Sequence, residues 1–178
     1  MMRITIFGMG RVGSTLASFI VASSLPVSNL HIYDTNKQVS LGNYYDLINM
    51  RDLLRKKMKI TIGYDKLSDA YIITAGIPRK SGERSFDYPA NFQIVQSCLS
   101  KCSLKSKVFL LTNPTEKLAS SFSKIGYDNI IPIGDLLDKV RIKLRDQPEE
   151  IANTIIDTKG YSNFGCIAEV LLRLRQMS

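Results

Sequence analysis

Cysteine, histidine and long apolar runs are scarce in this chain, and each scarcity closes off a class of protein. The three cysteines, Cys98, Cys102 and Cys166, form neither a CxxC pair nor an even set. A disulfide framework is therefore excluded as the basis of the fold, and buried or incidental thiols are expected rather than a metal centre. No segment has the run of about 20 apolar residues that spans a bilayer. Met1 to Phe7 passes straight into a glycine motif with no apolar leader, so the sequence predicts a cytoplasmic protein that makes no use of a membrane. There is one histidine, His31.

What is present is ordinary globular chemistry. The 178 residues are 44% hydrophobic and 22% charged, enough for one domain with a sizeable core. The net charge of +8 comes from 24 basic and 16 acidic residues. It is spread over residues 51–59, 101–107 and 139–145 and over Arg173 and Arg175, as solvated helix faces would spread it. No RNA-binding aromatic motif accompanies it, so nucleic acid is not the expected partner; a phosphate-bearing cofactor or a dianionic substrate is served by the same positive field.

Apolar runs alternate with helix-like stretches. Strands are expected at 3–7, 30–33, 59–64, 70–74, 108–112 and 129–133, and helices at 11–22, 38–56, 88–101, 115–124, 136–145 and 164–177. Such βαβ alternation predicts an α/β fold, a doubly wound parallel Rossmann sheet with helices on both faces. Residues 1–146 make the dinucleotide-binding domain, and 147–178 read as a short remnant ending in a helix whose Ile167, Val170, Leu171 and Leu174 share one face.

The first strand ends in Gly8-Met9-Gly10-Arg11-Val12-Gly13, and Val12, Leu16, Phe19 and Ile20 form the apolar face of the helix that follows. In this strand–turn–helix setting Gly8 permits the turn, Gly10 lets backbone approach a pyrophosphate, and Gly13 lets helix pack on strand. Asp34 closes the second strand 21 residues after Gly13. Its carboxylate suits ribose hydroxyls and repels a 2′-phosphate, which favours NAD over NADP; FAD or another nucleotide satisfies the same physics.

A second cluster follows the fourth strand: Thr74, Ala75 and Gly76, then Ile77-Pro78-Arg79-Lys80-Ser81-Gly82-Glu83-Arg84, with Asn91 seven residues on. Its position at a strand's carboxyl end sets it beside the cofactor crevice. Arg79 and Arg84 belong to a loop able to close over an anion, because guanidinium groups bind carboxylates in a bidentate fork.

Taken in order, GMGRVG with Asp34, TAGIPRKSGER with Asn91, Thr112-Asn113-Pro114, Leu137-Asp138-Lys139-Val140-Arg141 and Lys159-Gly160-Tyr161-Ser162 resemble the sequential signatures of the lactate/malate dehydrogenase family. The resemblance implies NAD as cofactor, held by Gly8, Gly10, Arg11, Val12, Gly13, Asp34, Thr74, Ala75, Gly76, Asn91 and Asn113. It implies that Arg79 discriminates malate from lactate, that Arg84 rides a closing loop and polarises the carbonyl, that Arg141 grips the substrate carboxylate, that Asn113 contacts substrate and nicotinamide, and that Ser162 lines the substrate wall. Three arginines suit a dicarboxylate, so malate and oxaloacetate are expected ahead of lactate and pyruvate. The loop between Arg79 and Arg84 is one residue shorter than the family's. Family members usually pair subunits through helices flanking the sheet, so a homodimer is expected.

One departure bears on chemistry. Hydride transfer to a carbonyl needs a proton donor near the oxygen, and in the family a histidine, held by the aspartate that matches Asp138, supplies it. The stretch that carries this histidine lies between the segments matching Arg141 and Lys159, here only 18 positions apart. Most of the second, catalytic domain is absent with it. Asp138 and Arg84 stand as the catalytic candidates, while His31 reads as an ordinary strand residue near the adenosine end of the cofactor. Two functions compete: a minimal NAD-dependent 2-hydroxy-acid dehydrogenase, and a degenerate module that binds NAD(H) and a dicarboxylate without useful chemistry.

Overall fold

The computed structural model describes residues 1–77, 87–144, 154–155 and 163–177, and of 143–144 the backbone alone. Its elements run β1 (Met2–Phe7), α1 (Arg11–Ala22), β2 (Val27–Tyr33), α2 (Lys37–Leu53), β3 (Lys59–Ile62), β4 (Ala70–Ile73), α3 (Tyr88–Leu99), β5 (Lys107–Leu110), α4 (Thr115–Ser123), β6 (Ile130–Pro132), α5 (Asp135–Leu144) and α6 (Phe164–Arg175). The six strands form one sheet in the order β3-β2-β1-β4-β5-β6, with parallel pairing throughout. This is the doubly wound arrangement the alternation predicts. Chain direction reverses its progress between β1 and β4, and a crevice opens there at the strands' carboxyl ends.

Period-2 alternation decides which side chain meets which layer. Ile4, Ile6, Leu30, Ile32, Ile60, Ile72 and Phe109 point to one face, where Leu16 and Ile20 of α1, Leu47 of α2 and Ile167, Val170 and Leu174 of α6 close the core. Phe7, Tyr71, Ile73, Val108 and Leu110 fill the other face against α3 and α4, with Val95, Leu99, Leu118 and Phe122. Burying side chains of this size contributes about 1.5–3 kcal/mol each, which fixes the register of the central strands. The terminal helix is thus part of the sheet's own core, with Leu171 packed at its margin.

Three local expectations are corrected. Phe19 is 45% exposed, because the buried stripe of α1 runs through Gly13, Leu16, Ala17, Ile20 and Val21; residue 19 falls outside it and meets Phe164 edge-on at 6.5 Å. β2 begins at Val27, three residues early, since Val27 already pairs with Met2. α2 stops at Leu53 instead of Lys56, because Arg55 adopts φ 52° and the chain leaves the helix there.

Candidate functional site

The first part of the site is a backbone cradle. Gly8 has φ +95°, and a Cβ there would lie 2.5 Å from the Ala75 nitrogen, so only glycine makes this turn. At Gly13 a Cβ would stand 1.9 Å from the Gly8 carbonyl oxygen, which lets α1 start hard against the end of β1. Nothing lies within 4 Å of a Cβ built on Gly10, so this stretch of backbone faces open space. α1 has no side-chain cap and no acidic residue in its first turn; the amides of its N-terminus are left with their positive dipole for an anion. Arg11 is exposed and Val12 half-buried at that end.

Asp34 reaches into this cradle. Its Oδ2 accepts the Met9 N–H at 2.7 Å and its Oδ1 the Asn36 N–H at 2.9 Å. Asn36 in turn caps α2, accepting from the Gln38 and Val39 amides at 3.0 and 3.3 Å. Asn43 makes a second tie by donating to the Met9 carbonyl at 3.3 Å. The carboxylate has acceptor capacity beyond these two bonds, which is what a sugar diol requires.

The loops after β4 and β5 continue the floor. Thr74 Oγ1 donates to the Gly8 carbonyl at 2.7 Å, and Thr112 Oγ1 to the Ala75 carbonyl at 2.6 Å. A Cβ on Gly76 would lie 2.6 Å from Thr112 Cγ2. Asn91 is 1% exposed, and its amide is spent on backbone: Oδ1 accepts from Ile77 N–H at 2.7 Å, while Nδ2 donates to the Asn113 carbonyl at 2.8 Å. It joins the loops that carry Ala75 to Ile77 and Asn113, and is well made to position them. Asn113 is exposed.

Beyond Asn113 lies a cleft of about 370 Å³ between the carboxyl ends of β5 and β6, lined by Asn113, Lys117, Gly134, Asp135 and Asp138 among others. Asp138 accepts a hydrogen bond from Arg141 Nη1 at 3.0 Å. That bond uses one of five guanidinium donors. A smaller cleft of about 280 Å³, between α1 and α2, is lined by Ser14, Ser18, Asn43 and Asp46.

His31 is far from this chemistry. On β2 it stands three strand spacings, about 14 Å, from β5, paired in register with Thr5 and Thr61. Its Nδ1 meets Thr61 Oγ1 at 2.6 Å, and Nε2 lies 3.8 Å from Asp65. Burial is the main cause that lowers its pKa below 6.5, with Asp65 opposing and Lys59 and Arg3 adding to the fall. The thiols are equally removed from reactivity: burial raises Cys98 to about 11 and pushes Cys102 and Cys166 upward, so all three stay protonated. Among the described residues no group of three or more His, Cys, Asp or Glu side chains is arranged to hold a metal ion, and no helix is long and apolar enough to cross a membrane.

Arg79, Arg84 and Ser162 lie outside the described residues, as do Lys159 and Tyr161. Of the predicted residues that are described, Gly8 to Gly13, Asp34, Thr74 to Gly76, Asn91 and Asn113 come together around the carboxyl ends of β1, β4 and β5, and Asp138 and Arg141 meet on α5. Sequence reasoning missed Asn36 and Asn43, which brace Asp34 and Met9. An Asn directly before a helical run is a capping signal that finds the first; no local pattern announces the second.

The sheet order, the glycine turn and the acidic residue at the end of β2 define a dinucleotide-binding Rossmann domain. A family model described as the lactate/malate dehydrogenase NAD binding domain matches residues 2–129, and the chain belongs to the lactate/malate dehydrogenase family. It is 30% identical to a malate dehydrogenase of Neorickettsia sennetsu, over 89% of this chain and 53% of the relative. It is 28% identical to an L-lactate dehydrogenase of Limosilactobacillus fermentum, over 80% and 47%. The chain therefore spans about half the length of these curated relatives. It shares its fold with a malate dehydrogenase of Archaeoglobus fulgidus solved in complex with NADH, at TM-score 0.81 and 23% identity, over 95% of this chain and 75% of that one.

Proposed function

We propose that the chain binds NAD(H) with its diphosphate on the Gly8–Gly13 turn and its adenosine ribose on Asp34, and takes a 2-hydroxy or 2-oxo acid, preferably malate or oxaloacetate, in the cleft beside Asn113. The observation that carries this reading is the 2.7 Å hydrogen bond from Met9 N–H to Asp34 Oδ2, which fixes the acidic side chain to the turn that the diphosphate would meet. Arg141, with Arg79 and Arg84, supplies the positive charge a dicarboxylate needs. When bound, the nicotinamide supplies the acceptor or donor of hydride. The chain's own residues orient the acid, and with no imidazole near the cleft the proton is left to Lys159, Tyr161 or a water. A lost general acid removes about 10² to 10⁴ in rate, so turnover should be slow.

A second reading, a catalytically degenerate module for NAD(H) and a dicarboxylate, draws support from Asp138. Its carboxylate is paired with Arg141 at 3.0 Å, and the one histidine is three strands away. Titration with NADH and NADPH, followed by nicotinamide fluorescence, tests the shared claim: NADH should bind more tightly, and no NADH binding at millimolar concentration would overturn it. NADH oxidation by oxaloacetate and by pyruvate, with Arg141→Ala as control, separates the two readings. A rate above buffer that the control loses supports the dehydrogenase. Pairing of two copies through helices flanking the sheet belongs to either reading, and would cover apolar surface such as Tyr45 and Leu53 of α2, 60% and 84% exposed.

A further inference from the structure

Glu169 of α6 is 2% exposed, and a carboxylate buried so deeply has to be compensated. Its Oε1 accepts Arg173 Nε and Nη2 at 3.0 and 2.8 Å. Its Oε2 turns the other way and accepts the N–H groups of Gly134 and Leu137 at 3.0 and 3.3 Å. Those amides open α5, so the cap of this helix is a side chain from 32 to 35 residues further along the chain. Gly134, which precedes the helix, has no side chain to do the work.

Among the described residues little else sets the rotation of α5. None of its described residues is fully buried, and Val140 and Ile142 are each 53% exposed. The second hold also comes from α6: Gly165 lets Leu137 approach so closely that a Cβ there would lie 2.6 Å from Leu137 Cδ1. Asp138 directly follows the capped Leu137, and Arg141 lies one turn on, 12% exposed and bonded to Asp138.

We infer that Glu169 is a positioning residue for the substrate anion: by capping α5 from α6 it sets the rotation that presents Asp138 to the cleft, with Arg141 bonded to it at the margin. The inference rests on the reading of Arg141 as the carboxylate ligand. Its signature is a loss of anion binding while the dinucleotide cradle, formed by residues 8–13 and Asp34, keeps its affinity.

The test uses the full chain and tartronate, an unreactive 2-hydroxy dicarboxylate, titrated in the presence of NADH. Glu169→Leu removes both acceptors and should weaken tartronate about 10- to 100-fold, as a displacement near 1 Å can, with NADH affinity unchanged. Glu169→Gln keeps one oxygen for the two amides and should stay near wild type. Glu169→Asp keeps the charge but withdraws the oxygens by a methylene, and should fall between; the Gln-over-Asp order decides the matter if the Leu variant does not fold. Wild-type tartronate binding in Glu169→Asp and Glu169→Leu, alongside its loss in Arg141→Ala, would overturn the positioning role alone. Indifference of tartronate to Arg141→Ala would overturn the substrate reading and this inference with it.

Discussion

The two ends of the crevice are held together by different means. At the dinucleotide end the critical contacts are between backbone and residues of one βαβ unit: Gly13 against Gly8, Met9 N–H on Asp34, Asn36 on the start of α2. At the substrate end they are side-chain ties between separate elements, Glu169 of α6 on Gly134 and Asn91 of α3 on Asn113. The first kind of contact demands particular residue types, because only glycine fits the turn and only a short acceptor reaches the amide. The second kind demands only that some acceptor arrive, and many sequences can provide one.

The sharpest way to break this comparison is to put a side chain where the cradle has none. Gly13→Val places a Cβ on the Gly8 carbonyl, a backbone atom that cannot swing aside, and should cost about 3 kcal/mol or more together with NADH binding. Urea unfolding monitored by circular dichroism reads the first effect and NADH titration the second. A variant within 1 kcal/mol of wild type that still binds NADH would show that α1 can slide on β1 without consequence.

Asp34→Ala should come next. It strips the acceptor from the Met9 and Asn36 amides and from the sugar, and a hydrogen bond to a charged group is worth about 1.5–3 kcal/mol, or about 10- to 100-fold in affinity. NADH should weaken more than NADPH, since the repulsion of a 2′-phosphate vanishes with the carboxylate. Equal weakening of both cofactors would mean Asp34 serves the fold and not the ribose.

Asn91→Ala probes the tie between separate elements. It orphans the Ile77 N–H and the Asn113 carbonyl in a site that is 1% exposed, and should cost about 2 kcal/mol of stability. If Asn91 only positions loops, the loss in NADH affinity should be smaller than for Asp34→Ala; a larger one would make it a direct ligand of the cofactor.

How much of this was legible in the sequence follows the same division. The glycine turn, Asp34 and the order of strands were readable because turn geometry and period-2 alternation leave few residue choices. Phe19 was misread because an apolar residue beside a helical stripe looks the same as one within it, and only the sheet's position shows which five residues face inward. Glu169 has Arg173 four residues on, a spacing that any exposed helix face can carry. Nothing in its neighbourhood shows that its other oxygen meets α5, because that contact exists only after α6 has folded onto the sheet.

The smallest expected effect concerns His31, which belongs to neither end. Burial holds its pKa below 6.5, so above that pH the imidazole is neutral in folded and unfolded chains alike and contributes no pH dependence. As pH falls through 6.5 the unfolded chain takes up a proton that the folded one still refuses, and stability declines in that window until the lower folded pKa is passed. Asp65, 3.8 Å from Nε2, works against the decline, while Lys59 and Arg3 deepen it. His31→Asn should therefore flatten the slope of unfolding free energy against pH just below 6.5 and leave NADH affinity at pH 8 unchanged. Identical slopes in the two proteins would show that Asp65 compensates the buried ring fully, and a drop in NADH affinity would bring His31 into the adenosine site after all.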